Sequence, residues 1–216
     1  MFRVFLVSAF LLAASHATAA TIITSSLDAA LSGATVIDFN GEADGTNFMN
    51  ASVGALTVLS NANTLRFDDD WATQFGTTGI ALETRSGGAA DDLELVFAVP
   101  VTAFGFDITA LDIDLTMNLF DAMNNLIDSF TIANQPGQGL TGFNRRSYTG
   151  ASSATPIARV QLMIAAQHDW FLVDNVAMVA AVPEAATGLL LAAGILGLAL
   201  AGNGSSIGMR RARGDN

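Results

Sequence analysis

Leu93-Glu94-Leu95-Val96-Phe97-Ala98-Val99-Pro100 is followed closely by Phe104-Gly105-Phe106-Asp107-Ile108, and both stretches place apolar side chains at every second position. A period of two is the signature of a strand with one face in a core, because successive side chains leave a strand on opposite sides. Pro100 reads as the stop between two strands, since it brings no N–H to a ladder. The pattern continues outward. Ile113, Leu115, Met117 and Leu119 alternate with Asp114, Thr116 and Asn118, and Asp121-Ala122-Met123-Asn124-Asn125 reads as a hairpin turn into a strand from Leu126 to Ile132. Pro136-Gly137-Gln138-Gly139 is a further turn, Val160, Leu162 and Ile164 alternate again, and Trp170 to Val179 makes a more continuous apolar strand. Shorter candidates are Val36 to Phe39, Leu56 to Leu59 and Ile80 to Thr84; only Ser25 to Leu31 looks helical, for a turn or two. About eight short strands separated by Gly, Asn and Asp clusters predict an all-β, antiparallel β-sandwich.

The ends of the chain follow other rules. Met1 and Arg3 precede an apolar stretch, Phe5 to Ala14, and then Ala17-Thr18-Ala19. A positive start, a short apolar core and small residues at the cleavage positions are the parts of a secretory signal. Cleavage is expected after Ala19, with Ala20 as the neighbouring option. At the other end, Ala185 to Ala201 carries no charge. At 1.5 Å per residue it spans about 25 Å, the low end for a bilayer core. Weakly polar residues extend the run to about 207, and Arg210, Arg211 and Arg213 follow. Those arginines are expected to stay cytoplasmic, leaving the preceding domain on the other side. The organisation read here is a signal peptide at 1–19, a β-sandwich at 20–181, and a terminal segment at 182–213 with a transmembrane helix at about 185–207.

Val182-Pro183-Glu184, the single apolar helix and the Arg cluster together resemble the PEP-CTERM sorting domain of bacterial exosortase substrates. In that family the motif usually reads Pro-Glu-Pro, whereas Ala185 stands third here; the Arg cluster usually follows the helix directly, whereas Gly202 to Gly208 intervenes here. The resemblance implies recognition at Val182, Pro183 and Glu184 by a membrane-embedded, cysteine-dependent transpeptidase. The resemblance implies that Arg210, Arg211 and Arg213 serve as the positive stop. It also implies passage through the inner membrane to the cell surface or extracellular matrix of a Gram-negative-type bacterium. The strand order resembles the jelly-roll domains that often precede such tails. The residues carrying that resemblance are Phe104 to Ile108 after Pro100, the Phe120 to Asn125 hairpin, Gly142-Phe143, Ile157 to Ile164 and Val173-Asp174-Asn175-Val176.

Composition bounds the chemistry. Between Thr21 and Val182 there are 18 acidic residues against five arginines, and the whole chain has a net charge of −11 and no lysine. Such a surface repels nucleic acid and anionic lipid, and suits divalent cations or neutral glycans. Cysteine is absent, so disulfides and thiolate chemistry are excluded. Calcium is the cofactor the acidic pattern suggests, and no other is expected. Its first candidate site is Asp38, Asn40 and Asp174, on the segments that open and close the sheet; the alternative is that these residues only cap turns. Gly41-Glu42-Ala43-Asp44-Gly45 is a second candidate, and Asp68-Asp69-Asp70 reads as a solvated loop. His168 is the sole histidine beyond the signal, with Asp169 beside it on the opposite side of a strand, so a Ser-His-Asp arrangement is poorly supported. Trp71, in an acidic loop, is the candidate glycan contact, with packing over the sheet end as the alternative. Tyr148 follows Arg145-Arg146 and combines a ring with donors, and both arginines read as surface charges. The expected function is non-catalytic, structural or adhesive, in association with exopolysaccharide. The alternatives are a calcium-dependent, lectin-like module and, behind it, a secreted glycoside hydrolase.

Overall fold

In the computed structural model the described residues are 19–60, 64–70, 75–77, 79–85, 90–111, 113–134, 146–167 and 170–182, with the backbone alone at 85, 90, 91 and 165–167. The signal stretch, Trp71, Arg145, His168, Asp169 and the terminal segment beyond Val182 lie outside them. Contacts divide the chain into two units, Met1–Ala181 and Val182–Asn216. Among the described residues no helix is long and apolar enough to cross a membrane.

The first unit is all-β and antiparallel. Its strands are β1 (Thr21–Ile23), β2 (Thr35–Ile37), β3 (Asn47–Phe48), β4 (Asn50–Val53), β5 (Leu56–Leu59), β6 (Thr64–Asp68), β7 (Ala81–Arg85), β8 (Ala90–Thr109), β9 (Leu115–Phe120), β10 (Leu126–Ile132), β11 (Ser147–Gln167) and β12 (Leu172–Ala180). The predicted helix shrinks to one 3-10 turn, Ala29–Leu31, whose start is capped by Asp28.

Two strands organise the rest. β8 and β11 are 20 and 21 residues long and pair from Ser147↔Ile108 to Gln167↔Ala90. Each carries a proline near its middle, Pro100 and Pro156. The register shifts there, between Ser152 and Ile157 and again before Arg159. Pro100 therefore does not end the strand, as the sequence suggested. It removes one ladder donor, and the strand continues through an irregularity. On one side of this break β5 and β9 flank the pair, giving the order β4-β5-β8-β11-β9-β10. On the other side β1 and β12 flank it, and the far edge of β12 is shared by β7 and β2 before β6 and β3 complete the sheet.

The break also changes which side chains face inward. Leu93, Leu95 and Phe97 are buried before Pro100; Phe104, Phe106 and Ile108 are buried after it. Odd positions give way to even ones, the result expected when one residue is added to a strand. Side chains from both halves share one buried cluster, with Leu56, Val58, Leu115, Met117, Leu119, Val160, Leu162 and Ile164 from the first half and Leu65, Phe67 and Val173 from the second. The bent sheet thus folds over a single core. The outer face of the second half is not left bare: Ile23, Leu31, Ala103 and Ala177 form a small cluster of their own beneath the segment that carries the 3-10 turn.

Candidate functional site

That cover is incomplete, and a cleft of about 490 Å³ opens between the segment from Ser26 to Val36 and the sheet beneath it. Its floor is a row across three strands. Tyr148 on β11 stands opposite Asp107 on β8, and Asp107 stands opposite Asp174 on β12. Asp107 is the centre of the row. Its Oδ2 accepts from Arg146 Nη2 at 2.6 Å and from Asn175 Nδ2 at 2.9 Å. Arg146 Nη1 also donates to the Gly76 carbonyl at 3.3 Å. Arg146, read from sequence as a surface charge, is exposed and is also the partner of a buried carboxylate.

The geometry is built locally. Asn175 has φ 51°, the left-handed region that asparagine tolerates better than other side chains, and its N–H donates to Asp174 Oδ1 at 2.7 Å. That conformation delivers its amide to Asp107. Burying Asp107 and Asp174 opposite one another places like charges face to face, which is unfavourable unless a cation is near. Arg146 is that cation. Its pKa is held above the usual guanidinium value by the hydrogen bond to Asp107, with the charges of Asp107 and Asp174 adding to the effect against some burial. Beside it, the Tyr148 ring lies over Gly105, where a Cβ would stand 2.6 Å from both Cε1 and Oη.

The Tyr148 hydroxyl is buried and finds no hydrogen-bond partner among the described residues. Burial, and then the charge of Asp107, push its pKa up to about 12. An acid whose folded pKa is raised keeps its proton in the native state after the unfolded chain has lost it. Stability should therefore be full below about pH 10 and fall as pH rises from there towards 12. Tyr148 is the only tyrosine in the chain, so its phenolate absorbance near 295 nm is unambiguous. The native protein should titrate near pH 12 and the denatured protein near pH 10. A native midpoint at 10 would contradict the buried, Asp107-facing position.

The other expected residues are placed differently. β2 does pair with β12, so the opening and closing segments are neighbours. Asp38 is exposed, and its Oδ1 accepts the Asn40 N–H at 3.2 Å. Asn40 Oδ1 accepts the Ile80 N–H at 3.0 Å, packed where a Cβ on Gly79 would stand 2.1 Å from it. These two residues clamp backbone, while Asp174 is buried in the sheet opposite Asp107. The carboxylates that do converge come from the loop after β2 and the end of β6: one oxygen each of Asp44, Asp68 and Asp69 lie within 4.8 Å of one another. Calcium wants six to eight oxygens. Here Arg66 Nη1 already stands 3.0 Å from Asp68 Oδ2 and Nη2 stands 3.5 Å from Asp70 Oδ2. The guanidinium thus pairs with one of the three, Asp68, and brings to it the positive charge a cation would supply.

The outer face of the first half carries a second polar row. Ser129 Oγ donates to Asn118 Oδ1 at 2.7 Å, Asn118 Nδ2 to Gln161 Oε1 at 3.4 Å, and Gln161 Nε2 to Glu94 Oε1 at 3.4 Å. Arg159 pairs with Glu94 at 2.8 Å and lies over the Phe120 ring at 3.9 Å. These groups satisfy one another.

No protein-family description and no characterised protein sequence matches the chain. Solved structures with a similar fold include the K1 cleaved adhesin domain of Lys-gingipain from Porphyromonas gingivalis W83, at 14% identity and TM-score 0.43, covering 64% of this chain and all of that one. A variant of the family 29 carbohydrate-binding module CBM29-2 matches at 16% identity and TM-score 0.39, covering 74% of this chain and 90% of that one. TmCBM61, solved with β-1,4-galactotriose, matches at 11% and 0.37, covering 67% of this chain and 94% of that one. Likenesses this distant carry no ligand, partner or activity over to this chain.

Proposed function

We propose that the chain is an exported protein, sorted by its C-terminal segment to the cell surface or extracellular matrix, where its β-sandwich acts without catalysis, as a structural or adhesive element among exopolysaccharide. The observation that carries this reading is the terminal sequence itself: Val182-Pro183-Glu184, an apolar run and three arginines. An exosortase-type transpeptidase is the proposed partner, with the membrane engaged until processing.

The other end supports the same reading. The Ala20 N–H donates to Asp128 Oδ2 at 3.0 Å. Cleavage after Ala19 would convert that amide into an ammonium already facing a carboxylate, and a charge-assisted bond is about twice as strong as a neutral one. On protein secreted by an exporting host, Asp128→Asn should lower stability by about 1 kcal/mol in urea melts. The same change in unprocessed chain should cost less. Equal losses in both would show that no new amino terminus meets Asp128.

Binding remains the alternative to a purely structural role, through the cleft or the Trp71 loop. Calcium is not part of this proposal, since Arg66 already pairs with Asp68, one of the three converging carboxylates.

Sorting is tested by substituting Pro183→Ala and Glu184→Ala together in a host that has the processing enzyme. Wild type should leave the membrane and the double variant should accumulate there. If both remain full-length in the membrane, the sorting claim fails.

A further inference from the structure

We infer that the cleft between the Ser26–Val36 segment and the β11-β8-β12 floor is a binding site for one neutral sugar ring, recognised by Asp107, Arg146 and Asn175 at its floor and by Tyr148 at its wall. The inference rests on the reading of this domain as one that works by binding, and gives that reading a place and a ligand class.

Size is the first argument. A volume of about 490 Å³ lies within the range of small-molecule sites and holds one ring, with room for part of a second. Chemistry narrows the occupant. Both bonds to Asp107 end on Oδ2, so Oδ1 stands outside them. Among the described residues Arg146 commits two of its five N–H donors, to Asp107 and to Gly76. The Tyr148 side chain lines the cleft with its ring, while its hydroxyl is buried. Donors and an acceptor thus meet in one place, beside apolar surface from Leu31, Val36 and the tyrosine ring. That mixture suits a ligand with hydroxyls round its edge and C–H groups on its faces.

Other classes fit less well. A purely apolar ligand would strip water from Asp107 and Arg146 with nothing in return. An anion would face Asp107 and the buried Asp174 against the charge of Arg146, the one cation lining the cleft among the described residues, on a chain whose net charge is −11. A cation would compete with Arg146 for Asp107, which already holds it at 2.6 Å. A neutral polyol needs no net charge from the site.

The test uses the full chain in detergent, with the methyl glycosides of glucose, galactose, mannose and xylose as probes and glucuronate as the anionic comparator. Binding is read by saturation-transfer NMR and calorimetry, with affinity on the order of millimolar expected for one ring. At least one neutral glycoside should saturate the protein, and glucuronate should bind more weakly. Arg146→Gln should weaken that binding about tenfold. Asn175→Gly should weaken it several-fold while keeping a residue that accepts φ 51°, and it serves as the second probe if Arg146→Gln does not fold. Trp71→Ala should change affinity less than twofold. Loss of binding with Trp71→Ala alone would overturn the cleft while sustaining a glycan-binding domain. No binding by any neutral glycoside would overturn both, leaving the sorting proposal untouched. Tighter binding of glucuronate would overturn the neutral ligand class.

Discussion

Gly150→Ala is expected to destabilise the domain by more than about 3 kcal/mol, or to prevent folding altogether. Gly150 lies on β11 directly opposite Gly105 on β8. A Cβ at 150 would stand 2.1 Å from the Phe104 carbonyl oxygen and 2.5 Å from the Gly105 Cα. Both are backbone atoms in the long strand at the centre of the sheet, so no rotamer change relieves the clash. The strands would have to separate, and β8 is held on its other edge by β12 while β11 carries β1. Gly33→Ala is the useful comparison. No atom lies within 4 Å of a Cβ there, but φ is +75°, so the cost should be about 1 kcal/mol, from backbone strain alone. Gly105→Ala should fall between them, because the obstacle is the Tyr148 side chain, which can move. Urea denaturation of the three variants checks the order. A Gly150→Ala midpoint no lower than that of Gly33→Ala would contradict the close strand approach.

Arg66→Met is expected to cost about 3 kcal/mol, because it leaves a buried carboxylate without its cation. The Asp68 side chain is fully buried and Arg66 Nη1 is 3.0 Å from its Oδ2. The Asp70 N–H at 2.7 Å from Asp68 Oδ1 remains, and one neutral donor does not replace a charge. Arg66 also bridges to Asp70, so its removal leaves Asp44, Asp68 and Asp69 with their oxygens within 4.8 Å and no positive group among them. Calcium then becomes informative. Wild type should melt at the same temperature with and without chelator, while calcium should recover part of the loss in Arg66→Met. A wild-type melting temperature that falls with chelator would overturn the view that Arg66 takes the place of a metal.

Alternation made most of the fold legible. Leu93 to Ile108, Leu115 to Ile132 and Val160 to Ile164 are where the core lies, because period-two burial depends on neighbours in sequence. Pro100 was not legible as a bend. Only the partner strand, with Pro156 near the same level, shows that two apparent strands are one. The change from odd to even buried positions across Pro100 was the available signal. β6 was hidden because Leu65 and Phe67 run straight into Asp68-Asp69-Asp70, and an acidic run reads as loop until Arg66 is seen folded against it. β1, β3 and β4 are two to four residues long and give periodicity too little to act on.

The cleft was legible only in fragments. The sequence presents Arg146 and Tyr148 as a charge and a ring, and Asp174 as a possible ligand, but Asp107 reads only as the polar partner in an alternating strand. Its importance comes from the pairings Tyr148↔Asp107 and Asp174↔Asp107, which join residues far apart in the chain. An aspartate between Phe106 and Ile108, in a strand otherwise free of charge after Pro100, was the one hint. Asn175 was visible as a residue type that favours left-handed backbone, but where its amide points follows from the register of β12.

The claim that organises the account is that both ends are removed from a β-sandwich bound for the cell surface. The most direct measurement is the intact mass of the wild-type protein recovered from the surface or matrix of a host with the processing enzyme. The account predicts a chain that begins at Ala20 and lacks Arg210, Arg211 and Arg213. A surface product that still carries Arg213, or one that still begins at Met1, would contradict it.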